Sequence, residues 1–221
     1  NQFILISIKM LYDFQMKIKV FADTICGWCY IGHYRLLKAV KTFKNIAFDF
    51  EHAPFQLNPD MPKEGMRRLD YIKHKFGSKE LAQPMYDNMN TEAIKEDLKF
   101  KIDSIQVTPN TKLSHILTKL AFKKKIGHKV LHEIYNSYFS KGIDIGNADE
   151  LIKIGKSKNI NEKEIIDVFS SSKETNDIIQ NEAIARTLGI NGVPFFEINN
   201  KTYISGAQTT ANLIEAIKVN L

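Results

Sequence analysis

Between residues 16 and 55 the hydrophobic period of the chain changes twice, and two cysteines stand at the first change. Residues 16–22 (MKIKVFA) set apolar Ile18, Val20 and Ala22 against Lys17 and Lys19, the two-residue period of a half-buried strand. Cys26 then opens a stretch whose apolar positions Tyr30, Ile31, Leu36, Leu37, Val40 and Phe43 keep helical spacing. Residues 46–55 (IAFDFEHAPF) alternate again and are rich in Phe. Strand, helix and strand joined by a crossover of this length make a βαβ unit, with parallel strands and a right-handed connection.

Beyond Pro59 and Pro62 the pattern turns helical for a long stretch. Leu113, Ile116, Leu117, Leu120 and Ala121 keep helical spacing, and so do Val130, Leu131, Ile134, Tyr135, Tyr138 and Phe139. Asn161-Glu162-Lys163-Glu164 has the form of a capping box, and a later helix, from about residue 174, stops at Leu188-Gly189. Strand character returns at 193–198 (VPFFEI), followed by an Asn-rich turn, a second short strand at 202–204 and a final helix carrying Leu213, Ile214 and Ile217. The order βαβ, helical block, ββα predicts an α/β sheet domain built from 16–61 and 189–221. An all-helical insertion, 62–188, is expected to interrupt it.

A chain of 221 residues with 43% apolar and 25% charged composition can bury a sizeable core. Net charge is +6, and the densest basic stretch is Lys123-Lys124-Lys125 with His128 and Lys129. It lacks interleaved aromatics for base stacking and reads as a solvated helix face, so no nucleic-acid partner is expected. No apolar run is long enough to span a bilayer. The run 3–8, six residues with a serine inside, is also too short for a signal-peptide core. The first residue is Asn rather than Met; a cytoplasmic location is the expectation, with export left open.

Cys26 and Cys29 are the only cysteines, too few to staple a domain of this size. Covalent haem attachment needs His directly after the second cysteine, where this chain has Tyr30. A structural zinc site commonly needs a second ligand pair. His33 shares a helix face with Cys29, but His52, His74, His115, His128 and His132 are scattered, so no metal is expected. The redox reading has a physical basis. A cysteine at a helix start faces unpaired N–H groups and the positive end of the helix dipole, which stabilise a thiolate. Cys26 would then be the nucleophile, and Cys29, one turn further in, the resolving thiol.

Several stretches in order from residue 16 onward make a more specific pattern. They are Asp23-Thr24-Ile25-Cys26-Gly27-Trp28-Cys29-Tyr30-Ile31-Gly32, Pro54-Phe55-Gln56-Leu57-Asn58-Pro59-Asp60-Met61, and Asn110-Thr111 through His115. Lys141-Gly142-Ile143-Asp144-Ile145, Gly192-Val193-Pro194-Phe195-Phe196 and Ile204-Ser205-Gly206-Ala207-Gln208 follow. Together they resemble the DsbA family of the thioredoxin superfamily, in its FrnE-like branch, which is related to the glutathione-dependent hydroxychromene-carboxylate isomerases. The resemblance implies a thioredoxin-like fold and a thiol–disulfide oxidoreductase that oxidises or isomerises protein or peptide disulfides. It implies Cys26 and Cys29 as catalytic residues and a cis-proline loop, Val193-Pro194, facing them and pairing with extended substrate. No cofactor beyond the redox disulfide is implied, with glutathione a candidate redox partner.

Two departures stand out: Gly27 occupies a position where the branch commonly has Pro, and Cys26 one where the isomerase relatives typically carry Ser. Asp23 reads either as a proton acceptor or as a cap on the active-site helix. Trp28 reads as a substrate grip or as core packing, His115 as a groove residue or a structural one, and His33 as a solvated helix residue in preference to an i+4 contact of Cys29. The rival functions are a metal-binding or redox-inert peptide-binding module on the same fold, and a glutathione-dependent isomerase. Direction of electron flow and the choice between monomer and homodimer stay open.

Overall fold

The computed structural model describes residues 15–221; the apolar run 3–8 lies outside them. Strand β1 (Gln15–Ala22) pairs in parallel with β2 (Ala47–Pro54), register Gln15↔Ala47 to Ala22↔Pro54. Between them runs helix α1 (Gly27–Val40), completing the βαβ unit. On its other edge β1 meets the antiparallel strand β5 (Phe195–Ile198), which turns back into β6 (Thr202–Ser205), giving sheet order β2-β1-β5-β6. Asn199 and Asn200 take φ of 51° and 55° at that turn, which Lys201 N–H closes on the Ile198 carbonyl at 3.0 Å. Asparagine tolerates this left-handed pair, which suits the twist of a hairpin.

Alternation along β1 divides the molecule into two cores. Met16, Ile18, Val20 and Ala22 join the large core with α1 and the helices packed on it. Phe21 points the other way, into a small cluster with Ala53, Phe55, Ala185 and Ile190. Such a division follows from the two-residue side-chain period of a strand.

The stretch between β2 and β5 is helical apart from one feature that hydrophobic period does not register. Strands β3 (Met66–Arg67) and β4 (Val107–Thr108) form a two-residue antiparallel ribbon, too short to show alternation. Helices α2 (Arg68–Phe76) and α3 (Lys79–Ile94) lie between them, and a 3₁₀ turn, Ile102–Ser104, precedes β4. Then come α4 (Lys112–Lys123), α5 (Gly127–Lys141), α6 (Ala148–Ser157), α7 (Glu162–Phe169) and α8 (Ser172–Thr187). The last helix, α9 (Thr210–Lys218), packs on α1. Asn161 caps α7 by accepting from the N–H groups of Lys163 and Glu164. The carboxylate of Glu164 pairs with Lys124 at 2.8 Å.

Side chains of the basic stretch on and after α4 turn to acidic partners. Lys119 holds Glu174 at 2.7 Å and Asp177 at 2.6 Å, Lys123 reaches Glu174 at 3.3 Å, and Lys125 lies 3.8 Å from Asp49. Among the described residues, no helix is long and apolar enough to cross a membrane.

One buried charge cluster ties α1 to α3. The Arg35 guanidinium donates from Nε to Glu96 at 2.7 Å, from Nη2 to Glu92, and from Nη1 to the Ala207 carbonyl at 3.0 Å. Lys38 adds a second cation to Glu96 at 2.8 Å. Truncating one partner of such a cluster strands the other charges in a dry setting. Arg35→Ala is therefore expected to lower stability by about 3–5 kcal/mol in urea unfolding; a loss below about 1 kcal/mol, the scale of an exposed pair, would contradict the clamp.

Candidate active site

Cys26 is the N-cap residue of α1, with extended φ and ψ of −91° and 111°. Its carbonyl accepts the N–H groups of Cys29 at 3.0 Å and Tyr30 at 3.1 Å, so the helix is already wound beneath it. No side chain caps this terminus and no acidic residue lies in its first turn, leaving the positive helix end to the Cys26 sulfur. Cys26 is 7% exposed and Cys29 only 1%, and both are free thiols. Burial, then the adjacent Cys26, push the Cys29 thiol well above its ordinary range.

The second part of the site arrives from the start of β5. The Val193–Pro194 peptide bond is cis, and the Cys26 thiol donates to the Val193 carbonyl at 3.7 Å. Gly206 N–H holds the Pro194 carbonyl at 2.8 Å. Gly32 makes this approach of helix and loop feasible: a Cβ there would fall 2.9 Å from Pro194 Cγ and 3.2 Å from Phe196 Cζ. Pro194 is buried, whereas Val193 is half-buried at the rim.

Gly27 has a different reason to be small. A Cβ at that position would lie 2.3 Å from Met89 Sδ and 3.1 Å from Phe100 Cε2, because α3 leans its methionine on the start of α1. Trp28, between the cysteines, is half-buried and packs against the main core.

Asp23 does not cap the active-site helix, which is the first correction to the sequence reading. Its chain position precedes the cap by three residues, and its Oδ2 accepts instead from Leu57 N–H at 2.7 Å. The backbone carbonyl of Asp23 receives Cys26 N–H at 3.1 Å and the Tyr135 hydroxyl at 3.3 Å. Its Oδ1 lies 3.3 Å from His115 Nε2, with both side chains fully buried, though the two are not aligned as a hydrogen bond.

The second correction concerns the histidines. His33 is buried on the inner face of α1 with Cys29 and Leu36, facing His128 at 5.2 Å between ring centroids. Burial, then His128 and His132, push it down to about 3. His115 likewise sits in the interior, its Nδ1 3.5 Å from His52 Nε2. Burial lowers His128 to about 4 and takes His52 well below its ordinary value. Among the described residues, no three His, Cys, Asp or Glu side chains are arranged to hold a metal ion. Spacing could not reveal this gathering, since the rings come from four elements; the i, i+4, i+7 series Cys29, His33, Leu36 was the one legible sign that His33 points inward.

The family model for the DSBA-like thioredoxin domain matches residues 17–218. Among curated proteins, the uncharacterized protein YwbO of Bacillus subtilis (strain 168) is 24% identical over 197 residues, spanning 87% of this chain and 90% of that one. The crystal structure of a probable DsbA oxidoreductase from Streptomyces coelicolor superposes with a TM-score of 0.83 at 25% identity, covering 92% of this chain and 89% of that one. A 2-hydroxychromene-2-carboxylate isomerase structure shares the fold, with TM-score 0.70 and 12% identity over 92% of this chain and 95% of that one.

Two measurements follow from these contacts. His33 and His128 have folded values below their unfolded value of about 6.5, so the neutral rings favour the fold. Their contribution is complete above about pH 6.5 and is lost as pH falls, at ~1.4 kcal/mol per pH unit for each ring. Urea unfolding between pH 7.5 and 4.5 should show that fall, and His33→Leu should make it shallower; equal slopes would contradict the buried neutral ring. Separately, Gly27→Ala should cost about 1–3 kcal/mol by overpacking against Met89. Met89→Ala in the same chain should recover most of it, and strict additivity of the two changes would refute the contact.

Proposed function

The chain belongs to the DSBA-like thioredoxin domain family, and on that premise we propose that it is a dithiol–disulfide oxidoreductase of proteins or peptides, with Cys26 and Cys29 as its couple. The observation that carries this reading is the Cys26 sulfur at an uncapped helix start, 3.7 Å from the carbonyl of a cis-proline loop.

When the pair is oxidised, a substrate thiolate attacks Cys26, the Cys26–Cys29 bond breaks, and Cys29 leaves and takes up a proton. A second substrate thiol, as thiolate, then attacks the substrate sulfur, forming the substrate disulfide and releasing Cys26 as a thiolate. When the pair is reduced, the Cys26 thiolate attacks a substrate disulfide and releases one substrate thiolate. Cys29 then gives up its proton and attacks Cys26, which closes the protein disulfide and frees the second substrate sulfur. Val193 offers its backbone to an extended substrate by strand addition, and Trp28, half-buried between the cysteines, grips apolar substrate surface. Asp23 is the proton acceptor for the Cys26 thiol, a role favoured by its burial and by the unpartnered Oδ1. The segment 62–188 walls the groove, and glutathione is the small-thiol partner.

Cys26→Ser is expected to abolish turnover in both insulin reduction and oxidative refolding of a reduced substrate. Retained turnover in the variant would sink the proposal. Equilibration against glutathione redox buffers then sets the direction. A potential near roughly −120 mV marks an oxidant and one near roughly −270 mV a reductant.

A further inference from the structure

A cavity touches Cys29, and neither Cys26 nor Val193 is among its lining residues. It has a volume of about 10 Å³, and Cys29, His33, His52, His128 and Tyr135 are among the side chains around it. That is room for about one water molecule. The polar atoms at and near it are short of partners: His33 Nε2 and both ring nitrogens of His128 are buried with no hydrogen bond. Three rings of this wall, Phe50, Phe122 and His128, also line a surface cleft of about 340 Å³ with Asp49, Lys125 and Gly127. His128 thus stands between the cavity that touches Cys29 and a cleft at the surface.

His52 is the inner junction. It borders the same cavity, and its Nε2 meets His115 Nδ1 at 3.5 Å, whose Nε2 in turn faces Asp23 Oδ1 at 3.3 Å. Carboxylate, imidazole and imidazole stand in series, and whether His115 Nδ1 carries hydrogen decides whether His52 Nε2 donates or accepts. We propose that Cys29 exchanges its proton with solvent through the back of the molecule, by way of His52 and His128, with Asp23 and His115 as the positioning pair. This deepens the redox reading, on which it rests, by naming the route of the proton that the resolving step must release.

The Cys29 S–H proton passes to the cavity side, the Cys29 thiolate bonds to the Cys26 sulfur, and the mixed-disulfide S–S bond breaks. Its electron pair leaves on the substrate sulfur, while the proton emerges at the cleft. A neutral imidazole serves well because it accepts at one nitrogen as it donates from the other and never holds net charge in a dry site. Burial keeps His33, His52 and His128 in that neutral form. The charged and titratable groups facing this path are Asp23 before α1, Cys26 and His33 on α1, Glu51 on β2, His115 on α4 and Tyr135 on α5. Glu51 is engaged by Lys17 and Lys19, and Asp49 and Lys125 flank the outer cleft.

The test traps Cys26 as a mixed disulfide with 2-mercaptoethanol and follows its collapse by Cys29, using Trp28 fluorescence from pH 5 to 9 in H₂O and D₂O. His128→Phe keeps an aromatic ring between Phe50 and Phe122, and His52→Gln keeps a polar side chain beside His115. Both are expected to slow the collapse about tenfold or more at pH 7, to change the pH profile and solvent isotope effect, and to regain rate with added imidazole. Collapse at the parent rate in both variants overturns the route. So does slowing that leaves the pH profile and isotope effect unchanged and ignores imidazole, which marks a packing role alone. A parent protein whose mixed disulfide never collapses would instead overturn the reading of the cysteines as a couple.

Discussion

A helix and a loop approach closely where Gly32 of α1 meets Pro194, and the geometry of the cysteine site depends on that contact. A Cβ on residue 32 would fall 2.9 Å from the proline ring, so a larger side chain would press the helix and the loop apart. With glycine there, the loop settles one turn beyond Cys29 and its Val193 carbonyl comes to 3.7 Å from the Cys26 sulfur. The sheet enforces the same juxtaposition from beneath: β1 leads into the cysteines, β5 leads out of the proline loop, and the two strands are neighbours from Ile18↔Ile198 to Phe21↔Phe195.

Behind this front, the two thiols have unlike surroundings. Cys26 has the positive end of a helix and a carbonyl at the rim, whereas Cys29 has an apolar wall, a buried carboxylate nearby and a set of neutral rings. Burial favours the uncharged form of Cys29, while the sulfur at the cap faces the unpaired N–H groups of the helix start. The asymmetry comes from fold position alone, since the two residues are chemically identical and separated by only Gly27 and Trp28.

The strands of the main sheet, α1 and the cysteine pair were legible in the sequence because each carries a local signal, and the cis-proline loop came with the family resemblance. Lys17 and Lys19 alternate with Ile18 and Val20, and Val193-Pro194 precedes a clear strand. The rest depended on contacts between distant segments. Met89 on α3 explains Gly27, but nothing near residue 27 announces it. His33 is a polar residue on a helix and so reads as solvated, yet its place on the Cys29–Leu36 face carries it inward. Asp23 read as a cap or a proton acceptor, and the cap fails because Leu57, from the loop after β2, claims its carboxylate. The β3–β4 ribbon is too short for any period to register.

The lysines of α4 give the two halves of the site different relations to their medium. The cysteine helix is anchored by Arg35 on buried Glu96, where dissolved ions have little access. Helix α8, whose C-terminal end leads through Ile190 to the proline loop, is tethered to α4 by Lys119 and Lys123 reaching Glu174 and Asp177. Those pairs are wetter, and ionic strength weakens pairs of that kind. Salt therefore bears more on the tether of α8 than on the Arg35–Glu96 anchor of the cysteine helix.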